Sequence, residues 1–536
     1  MLGTEKFGGI LSLTIAYWAM NLGTFAYIKK LAFPRDDDSL KPTIAHKESA
    51  MRFPVILTSL CLICLPALAL SEYEAYLQQN TMDMQAAKQE FQDYLDANDK
   101  EFIGFLKQQW KKVELEKPQV LDVTPKPVNL PKAPTPIAKP KSKPDAKPLP
   151  IVKVKPIALA KPVVVAPPVK VTPKKNMMVM EFVGHKISMP KINSRPLRFN
   201  NKLGSKTIAS HWQVLAKAKH SHIVKALKQQ KTALNLNDWA VALLANQYAK
   251  NIGLNDTNSQ QLFTWFLLVK TGYNTRLAYN SQAFVLMPSK QALYGVTYFT
   301  MKGQRFYAVS FDGKKINTGR AFTYSGNHDS ARTVLNFSGA SDMAPSGDYQ
   351  QKKLNFKFDN QQHQIELDYD LALVKFSNTL PQLDIQYYPQ QGLPTHTSQQ
   401  LLKQLQPLVK GKTEEQAVNL LLRFVQTAFA YQTDGQQFNT ENYLLPIETL
   451  HYPYSDCEDR ASLFSWLVES LLGLDAVLLD YPGHIAAAVE FTKTPKGDRL
   501  TFKNKRYTIT DPTYINASAG MTMPQFKTTR PKVLNF

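Results

Sequence analysis

Residues 117–175 constrain what this chain can fold into more than any other feature of the sequence. They contain 13 Lys against two Asp, many prolines and no aromatic residue. A segment of this composition cannot bury a core, and its repeated Lys-Pro pairs favour polyproline II with a rise of about 3.1 Å per residue. The sequence therefore predicts a disordered, extended linker that separates an N-terminal region from the globular part of the 536-residue chain.

The linker also explains much of the positive charge. The whole chain has a formal net charge of +21, and the linker supplies 11 of these charges as 13 Lys minus two Asp. Because the linker lacks the aromatic side chains on which bases stack, we do not predict a nucleic-acid partner. Adhesion of the linker to anionic wall polymers is a weaker alternative, and such binding would depend on salt.

Two apolar runs, 8–28 and 53–70, precede the linker. The first is uncharged and long enough to span a bilayer, and the second follows Met51 and Arg52 and ends in the small residues that signal peptidase requires. Residues 1–50 are therefore either the product of a start codon placed too early or the first helix of a hairpin. The basic loop between the runs predicts export of the chain after Ser71. We expect a periplasmic protein, cleaved from its signal or anchored in the inner membrane.

Periodicity divides the rest of the chain. Apolar residues at helical spacing, including Phe102, Leu106 and Trp110, predict an amphipathic helix that packs on a neighbour, lies on the membrane or self-associates. Alternating runs such as 353–358 predict antiparallel strands. The predicted regions are 1–71, membrane or signal; 72–116, amphipathic helical; 117–175, linker; 176–312, a degenerate copy of the last region; 313–400, antiparallel β; and 401–536, the catalytic domain.

One constellation near the C-terminus carries chemistry. Cys457, the one cysteine outside the apolar runs, precedes a helical pattern that ends at Gly473. The unpaired amides and dipole of a helix N-terminus favour a thiolate, and Asp456 is placed to cap that helix. His484 opens a strand after a Pro-Gly turn, and Asp511 ends a later strand. Because neighbouring strands lie about 4.8 Å apart, we predict His484 as the base and Asp511 as its orienting carboxylate.

The surroundings of Cys457 leave some roles open. Its own backbone N–H is the first expected oxyanion donor. Glu458 and Asp459 are expected to be solvated carboxylates of the first helical turn. An ordinary buried cysteine is the plain alternative, but charged neighbours are unusual for a core position. The remaining histidines show no metal-ligand pattern. The candidates for a second oxyanion donor are His451, Tyr452 and Tyr454.

These motifs, Asp-Cys-Glu-Asp-Arg-Ala before a helix, Gly-His before a strand and a strand ending in Asp-Pro-Thr, resemble the transglutaminase-like superfamily of papain-related α+β thiol enzymes. The resemblance covers roughly residues 415–526 and is similar to the bacterial branch found on exported proteins. It implies acyl transfer from an amide of a protein or wall peptide to water or an amine, without metal or cofactor. Catalysis would fall to Cys457, His484 and Asp511. The alternative is a non-catalytic periplasmic scaffold, which a fully buried Cys457 beyond reach of any imidazole would favour.

The upstream region reads as a second copy of this unit. Residues 262–267 stand in the same relation to Gly272 as 463–468 do to Gly473, and both stretches are followed by similar strands. We infer an internal duplication, with Trp265 and Trp466 as core anchors. In this alignment the residues that stand opposite Cys457, His484 and Asp511 are Asp256, Ala283 and Asp312. The upstream copy is therefore predicted to lack a thiol and a base.

Overall fold

The computed structural model describes residues 79, 81, 84, 96–121, 131–133, 176–314, 316 and 319–536. The predicted membrane or signal region 1–71 and most of the predicted linker lie outside these residues. The chain separates into two units, Met1–Ala87 and Lys88–Phe536, and the second holds all the described strands. Within the described residues, no helix is both long enough and apolar enough to cross a bilayer.

Helices and strands are mixed along Lys88–Phe536, which is an α+β fold as the sequence predicts. Caps written in the sequence set several helix ends. Thr413 and Gln416 form a reciprocal capping box, and helices end at left-handed Gly272 and, after a short π-helical turn, Gly473. The helices are α1 (residues 96–107), α2 (Ser205–Lys217), α3 (Ser221–Ala233), α4 (Asp238–Asn251), α5 (Thr257–Thr271), α6 (Leu371–Ser377), α7 (Tyr388–Gln391), α8 (Thr395–Val409), α9 (Glu414–Ala428), α10 (Asp434–Gln437), α11 (Pro446–His451) and α12 (Cys457–Leu467).

The strands alternate apolar and polar residues where one sheet face is open, and become wholly apolar where both faces are covered. They are β1 (Lys111–Leu115), β2 (Met177–Phe182), β3 (His185–Pro190), β4 (Arg276–Tyr279), β5 (Ala283–Pro288), β6 (Leu293–Tyr294), β7 (Tyr298–Met301), β8 (Gln304–Val309), β9 (Gly319–Thr323), β10 (Tyr349–Phe358), β11 (Gln361–Asp370), β12 (Gln382–Leu383), β13 (Ala430–Tyr431), β14 (Tyr454–Ser455), β15 (Ala476–Tyr481), β16 (His484–Glu490), β17 (Arg499–Phe502), β18 (Lys505–Thr510) and β19 (Lys532–Leu534).

Two sheets share one strand order. The first runs β1-β9-β4-β5-β8-β7, and the second, read from its other edge, runs β19-β15-β16-β18-β17. In each sheet, a long helix is followed by two strands that pair with each other. The next two strands form a hairpin, and the second of them pairs with the second strand of the first pair. A later strand pairs with the first strand of that pair. We call α5 with β4, β5, β7, β8 and β9 the upstream unit, and α12 with β15–β19 the C-terminal unit.

The predicted amphipathic segment packs on a neighbour. The ring of Phe102 in α1 lies 4.8 Å from that of Trp212 in α2, and Leu106 and Trp110 are also buried. Helical structure ends before residue 116, however, because β1 pairs with β9, with Val113 opposite Ala321. Strand pairing across more than two hundred residues thus overrides the local helical pattern.

The predicted antiparallel region contains the longest hairpin of the described chain, β10 with β11. Lys353 lies opposite Glu366 in its register, and residues that alternate inward contact α8 and α9. The ring of Phe356, for example, meets Phe424 of α9 edge to face at 5.2 Å. Helices α6 and α7 also fall within residues 313–400, so this region is not purely β.

Candidate active site

Cys457 is the first residue of α12, the position that its sequence predicts. Asp456 is the N-cap residue, and its backbone N–H donates a 3.2 Å hydrogen bond to Asp459 Oδ2. This hydrogen bond ties the first turn of the helix to the residue that precedes it. The thiol is therefore held at a defined place, at the positive end of the helix dipole.

His484 and Asp511 meet as the sequence predicts. Strand β16 begins at His484 and pairs with β18, whose last residue, Thr510, lies opposite Ala487. Continuing this register puts Asp511 diagonal to His484 on the same sheet face, within reach of a cross-strand contact. His484 Nε2 lies 2.8 Å from Asp511 Oδ2. Nδ1 of the same ring is buried and has no hydrogen-bond partner among the described residues.

Asp511 is itself held by its loop. Its Oδ1 accepts hydrogen bonds from the N–H groups of Thr513 at 2.9 Å and Tyr514 at 3.1 Å. Gln426 of α9 then fixes the loop from behind, because its Nε2 donates to the backbone oxygens of Asp511, Tyr514 and Ala517 at 2.8 to 3.1 Å. Sequence reasoning missed Gln426. Its signal is a polar residue within the apolar stripe of a helix.

The sulfur of Cys457 contacts a carboxylate and the strand that bears the histidine. Sγ donates to Glu458 Oε2 at 3.0 Å and accepts from the backbone N–H of Ile485 at 3.5 Å. Ile485 directly follows His484, so the thiol lies beside the backbone of the predicted base. The structure brings all three predicted residues to the beginning of β16.

The site is closed to solvent. Relative exposure is 0% for Cys457 and 2% for both His484 and Asp511. The ring of Phe526 stacks on His484 at 5.2 Å and 9°, and it also contacts Tyr481 at 4.9 Å. Phe526 lies in a short 3₁₀ turn near the C-terminus and was not singled out from the sequence. Its distance along the chain from His484 leaves no local signal.

Helix and histidine lie on opposite sides of the sheet. Ile485 and Ala487 pack in the core that contains Cys457, whereas Ala486 packs in the smaller cluster with Tyr481. Successive residues of a strand alternate between faces. His484 shares the Tyr481 face, and the sulfur approaches the strand from the other face, at its first residues.

Carboxylates surround the start of α12. Glu458 and Asp459 are buried, which corrects the expectation of solvated first-turn carboxylates. Burial raises the pKa of Asp459 well above its ordinary value, and the neighbouring Asp456 and Asp434 carboxylates raise it further. Arg460 supplies positive charge at the same place, and burial lowers its pKa to about 10. Helical spacing alone did not predict this burial, because it depends on contacts from a distant loop, such as the hydrogen bond from the Leu444 N–H to Asp459 Oδ1.

Some of these carboxylates lie close enough together to share one cation. Oxygen ligands are those that calcium prefers. Within each of two sets, the ligand atoms lie within 4.8 Å of one another. The sequence predicts no metal. Protonation of Asp459, which its raised pKa favours, weakens the set that contains this residue as a group of metal ligands. The sets are Asp434, Glu441 and Glu458, and Asp434, Asp456 and Asp459.

A cavity of about 270 Å³ opens beside Ile485. Leu121, Asp480 and Lys532 are among its lining residues.

Two of the candidate second oxyanion donors hydrogen-bond elsewhere: the Tyr452 hydroxyl to Asn378 and the His451 ring to the Tyr369 hydroxyl. The second oxyanion donor stays unassigned.

The upstream unit has other residues at the matching positions. Val285 opposes the last residue of β8 as Ala487 opposes the last residue of β18. Counting from these pairs, Gln282 precedes β5 where His484 begins β16, Ser310 follows β8 where Asp511 follows β18, and Thr257 begins α5 where Cys457 begins α12. The sequence alignment, which used Asp256, Ala283 and Asp312, differs from these structural equivalences by one or two residues.

No family model, no curated protein and no solved structure matches this chain.

Proposed function

We propose that the C-terminal unit is a transglutaminase-like cysteine enzyme that acts on amide bonds of proteins or wall peptides through a thioester. The observation that carries the proposal is the 2.8 Å contact between His484 Nε2 and Asp511 Oδ2, beside a thiol at a helix start. A carboxylate that holds one ring nitrogen leaves the other as a base, which a thiol nucleophile requires.

In the proposed reaction, His484 Nδ1 takes the thiol proton while the sulfur attacks the amide carbon. The carbonyl electrons move to oxygen, where the Cys457 N–H stabilises the charge. His484 then protonates the amine as the carbon–nitrogen bond breaks, which leaves a thioester. Water or a second amine, deprotonated by His484, attacks the thioester. Hydrolysis gives a carboxylic acid, transfer gives a new amide, and the thiol regains its proton.

In this proposal, the described geometry is the resting state of the enzyme. The thiol donates to Glu458, and Phe526 covers His484. For catalysis, the sulfur of Cys457 has to leave the Glu458 carboxylate and reach Nδ1 of His484, and the Phe526 ring has to move away from His484. Enzymes commonly complete a catalytic arrangement only when substrate binds and a lid closes or opens.

A non-catalytic scaffold is the second candidate function, and the complete burial of Cys457 favours it. Buried cysteines often act as small apolar core residues. In a scaffold, the His484–Asp511 pair would stabilise the sheet and the unit would bind a partner without chemistry. The reactivity of Cys457 separates the two candidates.

We also propose export to the periplasm, from the two N-terminal apolar runs, and an origin of the two units by duplication. The shared strand order and equivalent registers support the duplication. The upstream unit, with Thr257, Gln282 and Ser310 at the matching positions, would serve as a scaffold for the other unit.

A reporter enzyme tests the proposed export. A phosphatase fused after Ser71 should be active outside the cytoplasm, and an inactive fusion would contradict export.

The decisive experiment measures alkylation of Cys457. Full-length protein is treated with iodoacetamide, and mass spectrometry maps the label so that Cys61 and Cys64 are counted separately. We expect Cys457 to react, and we expect His484→Ala to slow that reaction by about a hundredfold. The matched control is Gln282→Ala, the same change at the equivalent upstream position, which should leave the rate unchanged.

Equal rates in His484→Ala and the parent protein would contradict the enzyme and favour the scaffold. Circular dichroism on each variant separates loss of reactivity from loss of fold. A thioester trapped with hydroxylamine would then distinguish an acylated enzyme from simple alkylation.

A further inference from the structure

The predicted linker contacts the candidate enzyme within a few residues of Asp511. Residues Pro131–Ala133 form a parallel β-bridge with Ile515, four residues after that aspartate. The Ala133 N–H donates to the Ile515 oxygen at 2.8 Å, and the Ile515 N–H donates to the Pro131 oxygen at 3.2 Å. Proline is tolerated because the bridge uses its carbonyl and not the N–H that it lacks.

A small apolar pocket receives Ala133. The side chain is 4% exposed and packs with Tyr514, Ala517 and Met523, all from the loop that follows Asp511. Lys132, between the two hydrogen-bonded residues, is exposed. Side chains along an extended peptide alternate in this way when a pocket reads every second residue. The pocket selects small apolar side chains, because a charged or bulky group would not fit where the alanine is buried.

The pocket is coupled to the catalytic centre. Phe526 packs against the cluster that buries Ala133, and the same ring stacks on His484. On the other side of the site, Leu121 lines the cavity beside Ile485. The described residues Leu121 and Ala133 therefore lie next to parts of the chain that adjoin His484 and Asp511.

We propose that the Ile515 edge, consisting of the Ile515 backbone and the pocket of Tyr514, Ala517, Met523 and Phe526, is a substrate subsite. Its ligand is an extended polypeptide with a small apolar side chain, and the chain's own Pro131–Ala133 fills it at rest. The inference rests on the proposed function, and it selects polypeptides over short wall peptides as substrates. It also gives Phe526 a role, because a ligand that displaces the linker acts on the ring that covers His484.

Peptide binding tests the subsite without requiring catalysis. A fluorescent peptide of residues 129–136 is titrated into full-length Cys457→Ala protein, with and without Ala133→Glu, and anisotropy is recorded. The glutamate cannot be buried in the apolar pocket, so the linker should leave it. Loss of the tethered competitor should tighten peptide binding by about tenfold or more, since tethering acts as a high local concentration.

Lys132→Glu is the matched control, because it changes the charge of an exposed neighbour and should leave peptide affinity as in the parent. A peptide with glutamate in place of Ala133 should bind neither protein. Equal affinity of the parent and Ala133→Glu, or binding to neither, overturns the subsite. Thermal unfolding of both variants shows whether their folds are intact.

A second measurement links the subsite to the thiol. With Cys457 restored, alkylation should be faster in Ala133→Glu than in the parent, and saturating peptide should slow it again by about fivefold or more. A rate that saturating peptide leaves unchanged overturns the assignment to the catalytic centre. If peptide binds as expected but Cys457 resists alkylation in every variant, the enzyme proposal fails while the peptide-binding edge stands.

Discussion

The upstream and C-terminal units have the same strand order but different chemistry at the ends of their elements. Thr257, Gln282 and Ser310 stand where the C-terminal unit has Cys457, His484 and Asp511. In both units, a backbone N–H at the start of the second strand meets the start of the helix. The Ala283 N–H donates to Asn258 Oδ1 at 2.9 Å, and the Ile485 N–H donates to Cys457 Sγ at 3.5 Å. The shared sheet permits either set, so function depends on end positions rather than on the fold.

The units also differ in how they use their tryptophans. Trp265 is buried in an aromatic cluster and its Nε1 donates to the Tyr324 hydroxyl, whereas Trp466 is half-buried against Gly392. A Cβ at Gly392 would lie 2.6 Å from the Trp466 ring, and its φ of 59° favours glycine. The two tryptophans therefore occupy equivalent places in the sequence pattern but differ in burial.

The largest expected effect concerns Asp511, the proposed catalytic carboxylate. Asp511→Asn should slow alkylation of Cys457 by about a hundredfold or more, because the His484 ring loses the charge that holds its tautomer. Ser310→Ala, at the equivalent upstream position, should leave the rate unchanged. Rates are measured with iodoacetamide on folded protein. A similar rate for Asp511→Asn and the parent would remove the functional difference between the units.

Replacing each of the two tryptophans by alanine should lower the free energy of unfolding by different amounts in the two units. Trp265→Ala should cost about 3–5 kcal/mol, the usual range for a buried aromatic. Trp466→Ala should cost about 1–2 kcal/mol because its ring is only partly buried. Urea unfolding, followed by fluorescence and circular dichroism, gives both values. Equal costs would mean that packing is equally dense in both units.

Buried amides give a smaller difference. Gln426→Leu should destabilise the protein by about 2 kcal/mol, because three carbonyl oxygens of the Asp511 loop lose their donor. Asn246→Leu on α4 removes one bond, to the Thr264 hydroxyl, and should cost about 1 kcal/mol. Gln426→Leu alone should also slow alkylation of Cys457. A loss of stability without slower alkylation would contradict the positioning role.

The smallest effect is a pH dependence that belongs to the C-terminal region. Burial raises the pKa of Glu448 from an ordinary 4.5 to about 8. A raised folded-state pKa gives stability that is complete below pH 4.5 and is lost as pH rises through 8, because the folded state binds the extra proton. Glu448→Gln should therefore be more stable than the parent at about pH 9, by about 1 kcal/mol, and should lose less stability between about pH 6 and 9.

Thermal unfolding at both pH values measures this difference. Glu366→Gln, an exposed carboxylate of β11, is the control and should follow the parent curve. If Glu448→Gln has the same pH dependence as the parent, the carboxyl group has no raised pKa in the folded protein.

Much of the C-terminal unit, and the hairpin of β10 with β11, could be predicted from local sequence. The helix that starts at Cys457, the strand that starts at His484 and the β10–β11 hairpin follow from periodicity and turn residues. Burial of Glu458 and Asp459 could not be predicted, because the covering loop comes from another part of the chain. The same holds for β1, where pairing with β9 replaces a helical pattern. The equivalent upstream positions could be assigned only from strand register, which the amino-acid sequence does not give.

By itself, the sequence determined which residues can do chemistry and where they stand on their elements: a thiol at a helix start, an imidazole at a strand start and a carboxylate after a strand. Tertiary structure alone decided that Phe526 covers His484 and that Ala133 docks beside the Asp511 loop. The physical reason is separation along the chain. Periodicity and capping act over a few residues, whereas contacts such as Ala133 with Tyr514 depend on the closed path of the whole fold.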